Sequence, residues 1–156
     1  MKKNYRLNVG LMIVNDKGLV WMGERLNAAG LNFKYQMPQG GVDQSETLLE
    51  AAFRELYEET GLKKEHVELI KESKDWHQYD FFAPITYPEG VFHGQKQKWF
   101  LFRFKGKESD FNLKIHPEEI EFSSYFWCPV KKITSLVVPF KRIVYHKIIE
   151  EFSPYI

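Results

Sequence analysis

The segment from Met37 to Gly61 constrains this chain more than any other stretch. Met37-Pro38-Gln39-Gly40-Gly41 cannot continue a helix or a central strand, because proline has no amide donor and paired glycines favour a tight loop. A helix follows. Asp43 or Ser45 can cap it, Glu46 falls in its first turn, and Gly61 ends it in a left-handed conformation. Leu49, Ala52, Phe53 and Leu56 recur at the i, i+3, i+4, i+7 spacing of a buried face. A helix with one apolar stripe must press it against a second layer.

The rest of the chain supplies that layer. Leu7–Val14 is apolar and rich in strand formers, Asn15-Asp16-Lys17-Gly18 reads as a turn, and Leu19–Met22 resumes a strand, so the chain opens with a hairpin. Val67–Ile70, Trp99–Phe104 and Tyr125–Trp127 read as further strands. Pro139 precedes a second amphipathic helix that docks through Val144, Tyr145, Ile148, Ile149 and Phe152. The pattern predicts an α/β protein, an α/β/α sandwich around a mixed central β-sheet, in a single domain over residues 1–156.

Composition excludes several classes. With 156 residues, 44% hydrophobic and 28% charged, the chain is neither disordered nor too short for a core. A net charge of +1 gives no general basic field, so any grip on nucleic acid must be local. The lone Cys128 sits in an aromatic strand with no activating base and reads as packing in a reducing compartment. No apolar run is long enough to span a membrane, and the start Met1-Lys2-Lys3 is interrupted by Asn4, Arg6 and Asn8, unlike a signal peptide. The expected location is cytoplasmic, with no obligate protein partner indicated.

On the helix, Glu55, Glu58 and Glu59 share one turn beside the buried stripe. Like charges so close repel by a few tenths of a kcal/mol per pair, whereas a divalent cation between them converts repulsion into coordination. The alternative is a solvated face with Glu50–Arg54, Arg54–Glu58 and Glu59–Lys63 as ordinary helical pairs. The surroundings distinguish the two. From Gly40, five residues lead to Glu46, seven more to Arg54-Glu55-Leu56, and one more to Glu58-Glu59, followed by Thr60 and Gly61-Leu62. The chain thus resembles the Nudix hydrolases at every fixed position of their box. The resemblance implies Mg²⁺ or Mn²⁺ held by Glu55, Glu58 and Glu59 with the Gly40 carbonyl. It makes Arg54 the residue that orients a box glutamate, and Glu46 the one that steadies the loop. The chemistry implied is in-line attack of water on phosphorus, with a carboxylate taking the proton.

Beyond the box, Tyr5–Gly10, Gln36–Gly41, Gly94–Phe100 and Pro139–Arg142 resemble the bacterial RNA pyrophosphohydrolase and dinucleoside polyphosphate hydrolase subfamily. That likeness implies phosphate or substrate contacts at Arg6, Arg25, Gln39, Lys96, Lys98 and Lys141, and a first base clasped by Val138 and Phe140. Lys96 and Lys98 alternate with Gln95 and Gln97, so the two pairs face opposite ways; an edge strand guarded by lysines is the alternative. A late glutamate joins the site in the subfamily and falls at Glu121, with Glu118 or Glu119 as alternatives. Departures are Leu7 in place of the usual proline and a loop lengthened at Ala28-Ala29-Gly30. The five histidines show no metal-ligand spacing and read as surface or structural, while Trp76, Tyr79, Phe81 and Phe82 read as core with a base pocket as the alternative. The expected activity is conversion of an RNA 5′-triphosphate end to a monophosphate. Its rivals are a dinucleoside polyphosphate hydrolase with little RNA activity and a non-catalytic nucleotide or RNA binding module.

Overall fold

Alternation along two long strands sets the layers. The computed structural model describes residues 2–28 and 32–156, so Ala29 and Gly30 of the lengthened loop lie outside it. The strands are β1 (Tyr5–Val14), β2 (Val20–Arg25), β3 (Tyr35–Gln36), β4 (Gln39–Gly41), β5 (Val67–Glu72), β6 (His77–Tyr87), β7 (Gly90–Phe104) and β8 (Phe122–Cys128). The helices are α1 (Leu48–Thr60), α2 (Ile133–Leu136) and α3 (Arg142–Phe152). β1 runs parallel to β7 along its whole length, from Tyr5 opposite Gly94 to Val14 opposite Arg103, whereas the other pairings are antiparallel. The sheet is therefore mixed, in the order β3-β2-β1-β7-β5 with β4, β6 and β8 branching from it.

Side chains at every second position enter different cores. Val9, Leu11 and Ile13 of β1 and Phe100 and Phe102 of β7 pack with Ala51, Ala52 and Leu56 of α1. Met12, Val14, Trp99 and Leu101 pack on the opposite face with Val144, Tyr145, Ile148 and Phe152 of α3. Each such Leu or Phe removed from water contributes roughly 1.5–3 kcal/mol. Cys128 is fully buried in the second core. This is the expected α/β/α arrangement. Among the described residues no helix is long and apolar enough to cross a membrane.

Local details differ from the sequence reading: Gln39–Gly41, expected as part of a tight loop, pairs with Asn8–Gly10 as strand β4, because both glycines donate or accept in an extended backbone as well as in a turn. The turn at Asn15–Gly18 forms, with Asn15 Oδ1 accepting from Lys17 and Leu19 amides, but β1 and β2 pair only at Val14 and Val20. β2 then leaves to pair with β8 and β3, so no extended hairpin exists. The α1 cap is Thr47, whose side chain accepts from the Glu50 amide while Glu50 accepts from the Thr47 amide. This reciprocal pair satisfies two end donors at once and outcompetes Asp43 and Ser45. Gly61 closes the helix at φ 80°, as expected. β6 was not anticipated: its outer half pairs only with β7 and stands in solvent, so no apolar alternation marks it. Phe82 on this arm is fully exposed rather than core, whereas Tyr79 is buried.

Candidate active site

Helix α1 and the β4 loop meet at the box carboxylates. Glu55 and Glu59 are buried and Glu58 is half-buried. Gly40 makes the meeting possible, because a Cβ there would overlap the Glu55 carboxylate. Arg54 binds the two elements together. Its Nη1 donates to Glu55 Oε1 at 2.8 Å and to Glu58 Oε2 at 3.2 Å, and its Nη2 donates to the Gly41 carbonyl at 2.8 Å. Glu46 accepts from the same guanidinium at 2.6 and 3.0 Å while its Oε1 also accepts the Asp43 amide. Of the three helical ion pairs weighed from sequence, Arg54–Glu58 forms. Glu59 instead turns into the protein.

Burial and mutual repulsion dominate the electrostatics. Desolvation, with Glu58 and Glu121 adding to it and Arg54 opposing it, pushes the Glu55 carboxyl up to about 7. Desolvation also holds Glu59 well above the usual carboxylate range, reinforced by Glu55 and Glu121 and opposed by the Gln39 amide. Glu59 Oε2 is buried with no hydrogen-bond partner among the described residues. Around these groups lies a cavity of about 630 Å³, whose other walls include Gln39, Gly40, His116, Glu118, Glu119 and Glu121. Such a set of hard oxygen donors, one of them orphaned, fits Mg²⁺ or Mn²⁺. As they lie, no three acidic or imidazole groups among the described residues enclose a common point, since Arg54 draws Glu55 and Glu58 to itself. A cation would take those oxygens over from the guanidinium.

A second wall is polar and cationic. Gln39 Nε2 donates to Gln95 Oε1 at 3.2 Å and Tyr79 Oη at 3.3 Å. Its Oε1 accepts from Gln97 and from Lys141 Nζ, each at 3.3 Å. Lys141, itself buried, also donates to Gln36 Oε1 at 3.0 Å. Burial and then nearby Arg25 push the Lys141 ammonium down to about 8, against the pull of Glu121 and Glu59. Arg25 is fixed by donating to the Phe33 carbonyl at 2.9 Å. Phe140 is partly exposed with its ring 5.5 Å from that of Tyr79, and Val138 packs at the margin of the α3-side core.

The structure therefore gathers Gln39, Gly40, Glu55, Glu58, Glu59 and Glu121 at one cavity; Gln39 ties it to Lys141, near Arg25 and Val138, and through Tyr79 to a separate depression that holds Phe140. The remaining cations stand apart from it. Lys96 and Lys98 converge on the Trp76 ring at 5.3 and 5.8 Å, and Lys98 donates to the Ser73 and Lys74 carbonyls. Arg6 lies over the Tyr87 ring at 4.3 Å, against Gly41. Two features were not foreseen. His116, read as surface or structural, lines the acidic cavity 4.0 Å from Glu58. Gln36 and Gln95 form the polar wall with Tyr79, which was weighed as core or base pocket; Gln36 lay in a segment that carried the resemblance, and the alternation with Lys96 was the signal for Gln95.

Comparisons agree with this geometry. The NUDIX domain model matches residues 4–151. An RNA pyrophosphohydrolase of Brucella anthropi is 44% identical over 95% of this chain and 89% of its own length. One of Agrobacterium fabrum is 42% identical over 96% and 92%. Among solved structures, the Escherichia coli dihydroneopterin triphosphate pyrophosphohydrolase superposes with a TM-score of 0.67 at 21% identity, covering 96% of this chain and 99% of that one. A Caenorhabditis elegans Ap4A hydrolase complex gives 0.65 at 17%, covering 94% and 98%. These two show the shared fold. With the box carboxylates buried at one cavity and the domain match spanning nearly the whole chain, this protein belongs to the Nudix hydrolase family.

Proposed function

We propose that this enzyme removes pyrophosphate from the 5′-triphosphate end of RNA and leaves a 5′-monophosphate. The observation that carries the reading is Gln39, which joins the acidic cavity to Lys141 and, through Tyr79, to the depression holding Phe140. A polyphosphate between them would place its phosphorus at Glu55, Glu58, Glu59 and Glu121 and its first base at Phe140 and Val138. The relatives named as RNA pyrophosphohydrolases support the choice of RNA. Water adds to phosphorus, the phosphoanhydride P–O bond breaks, and one proton passes to a carboxylate.

In this reading Glu55, Glu58, Glu59 and Glu121, with the Gly40 carbonyl, hold Mg²⁺ or Mn²⁺. When bound, the cation supplies neutralisation of phosphate charge and acidification of the attacking water. Arg54 keeps Glu55 and Glu58 in place, and Glu46 keeps Arg54 in place. Lys141 and Arg25 receive phosphate oxygens, while Gln39 sets the position of Lys141. Arg6, Lys96 and Lys98 serve a longer polyphosphate only if their side chains leave Tyr87 and Trp76. RNA ends as substrate place the enzyme in the cytoplasm.

The test compares triphosphorylated RNA with diadenosine polyphosphates under identical conditions with Mg²⁺. A higher kcat/KM on RNA, with pyrophosphate as product, is expected. Rapid cleavage of the dinucleotides with little on RNA would replace this reading by the dinucleoside polyphosphate one. Binding without turnover of either would make the chain a binding module.

A further inference from the structure

From Phe122 to Ile149 the chain has no Asp or Glu, yet Lys131, Lys132, Lys141, Arg142 and Lys147 fall within that stretch. Most solvated surfaces intersperse both signs. In a chain of net charge +1, such a segment concentrates positive field on one part of the surface. The fold gives that field a shape. A groove of about 590 Å³ between α2 and α3 is lined by Lys131, Thr134, His146 and Ile149 among others. It continues into a hollow of about 340 Å³ bounded by Thr134, Arg142, Ile143, His146 and Lys147. Ile143, 70% exposed, also borders the depression that contains Phe140 and Tyr79, so the track runs up to the base clasp.

Among the described residues none of these five cations meets a carboxylate, although Lys141 is taken up by Gln36 and Gln39; of the groove residues His146 does, Glu150 at 3.9 Å. Arg142 lies instead over the Phe33 ring at 4.8 Å, and Phe33 is the residue that fixes Arg25. Cations spaced along a groove, with an exposed apolar side chain and an aromatic beside them, are the features that bind single-stranded nucleic acid without reading its sequence.

We propose that the α2–α3 groove holds the phosphodiester backbone of the RNA strand downstream of the clasped first nucleotide. The groove makes long triphosphorylated RNA a better substrate than a short one, and it does so through charge rather than base identity. This rests on the RNA reading of the active site. Lys131 in the groove and Lys147 in the hollow, with the exposed Lys132 next to Lys131, are the phosphate contacts, and Ile143 packs against a base or ribose.

The experiment measures kcat/KM on triphosphorylated RNAs of two and eight nucleotides and on diadenosine tetraphosphate, as a function of salt, for the parent and for Lys131→Glu/Lys132→Glu/Lys147→Glu. A thermal melt controls for folding. In the parent the eight-nucleotide RNA should be favoured, with an advantage that fades as salt rises. The triple variant should lose at least about tenfold on that RNA and much less on the other two substrates. Its salt slope should shrink by about two, since each phosphate contact on a single strand contributes about 0.7. Equal losses on all three substrates, or normal cleavage of the long RNA by the variant, would overturn the groove while leaving RNA as substrate; an acidic protein partner would give that second result. A parent that cleaves diadenosine tetraphosphate but no RNA would overturn both readings together.

Discussion

At Gly40 the absence of one carbon decides whether the site exists. A Cβ there would overlap the Glu55 carboxylate, so Gly40→Ala should displace that group and lower turnover by roughly ten- to a hundredfold with little change in fold. Turnover at increasing Mg²⁺ beside a circular dichroism spectrum checks it, and an unaffected rate would remove Glu55 from the proposed cation site. Glu59→Gln should be more severe, at least about a hundredfold at saturating Mg²⁺, because Oε2 of this buried carboxylate has no partner among the described residues. Single-turnover rates decide that case, and a near-normal variant would sink the assignment. The same buried acids predict an unusual pH response of the metal-free protein. Burial raises Glu55 from the usual 4.5 to about 7 and Glu59 well above 4.5, so between those values the folded chain holds protons that the unfolded chain has released. Stability must then fall as pH rises through that window, the reverse of a salt-bridged carboxylate. Melting temperatures in chelator should drop from about pH 5 to pH 7.5, Mg²⁺ should restore the loss at the upper end, and Glu59→Gln should flatten the slope. A rising or flat profile in the parent would contradict the burial argument.

Among the elements, the short turn from Val138 into α3 carries the most specific expectation. If Phe140 and Val138 clasp a base, Phe140→Ala should cost roughly ten- to a hundredfold in kcat/KM on triphosphorylated RNA, since stacking contributes about 1–3 kcal/mol. Inorganic tripolyphosphate, if cleaved at all, should be cleaved as well by the variant as by the parent. Phe140 is partly exposed and touches Tyr79, so a packing role would instead show as a lowered melting temperature and equal loss on both substrates. How much of this was legible in sequence follows from how each element is determined. Helix α1 was readable because its apolar spacing, its terminal glycine and its box are all local. Its cap was misplaced because Asp43, Ser45 and Thr47 are all competent, and only the reciprocal bond with Glu50 selects Thr47. β6 was unreadable because half of it faces solvent and pairs with β7 alone. The polar wall was readable only in part: the family resemblance named Gln39 and Lys141, but Gln36, Tyr79 and Gln95 join them only when four strands and the turn before α3 are assembled.

The whole molecule places an α-layer on each face of the sheet, and beside the Lys141 contacts a hydrogen bond from within α3 links the far layer to the site. The Met37 amide donates to the buried Tyr145 hydroxyl of α3 at 2.9 Å, just ahead of the glycine loop. Tyr145→Phe leaves that buried donor unpaired, a loss of about 1–3 kcal/mol. For a chain of this size the melting temperature should fall by roughly 2–10 °C. Because the loop carries Gly40, turnover should fall several-fold as well; a stability loss with unchanged turnover would show that strand pairing alone holds the loop. The parallel contact of β1 with β7 has a consequence in time rather than in space. β1 leaves the ribosome before β7, its full-length neighbour, which follows only about 90 residues later. At ordinary elongation rates, the apolar run Val9–Val14 therefore waits on the order of 5–20 s without its partner. β4 and β2 can cover one edge of that run earlier, but the edge that β7 covers stays open to other chains until then, and a ribosome stalled before Phe104 would release a strand primed for aggregation.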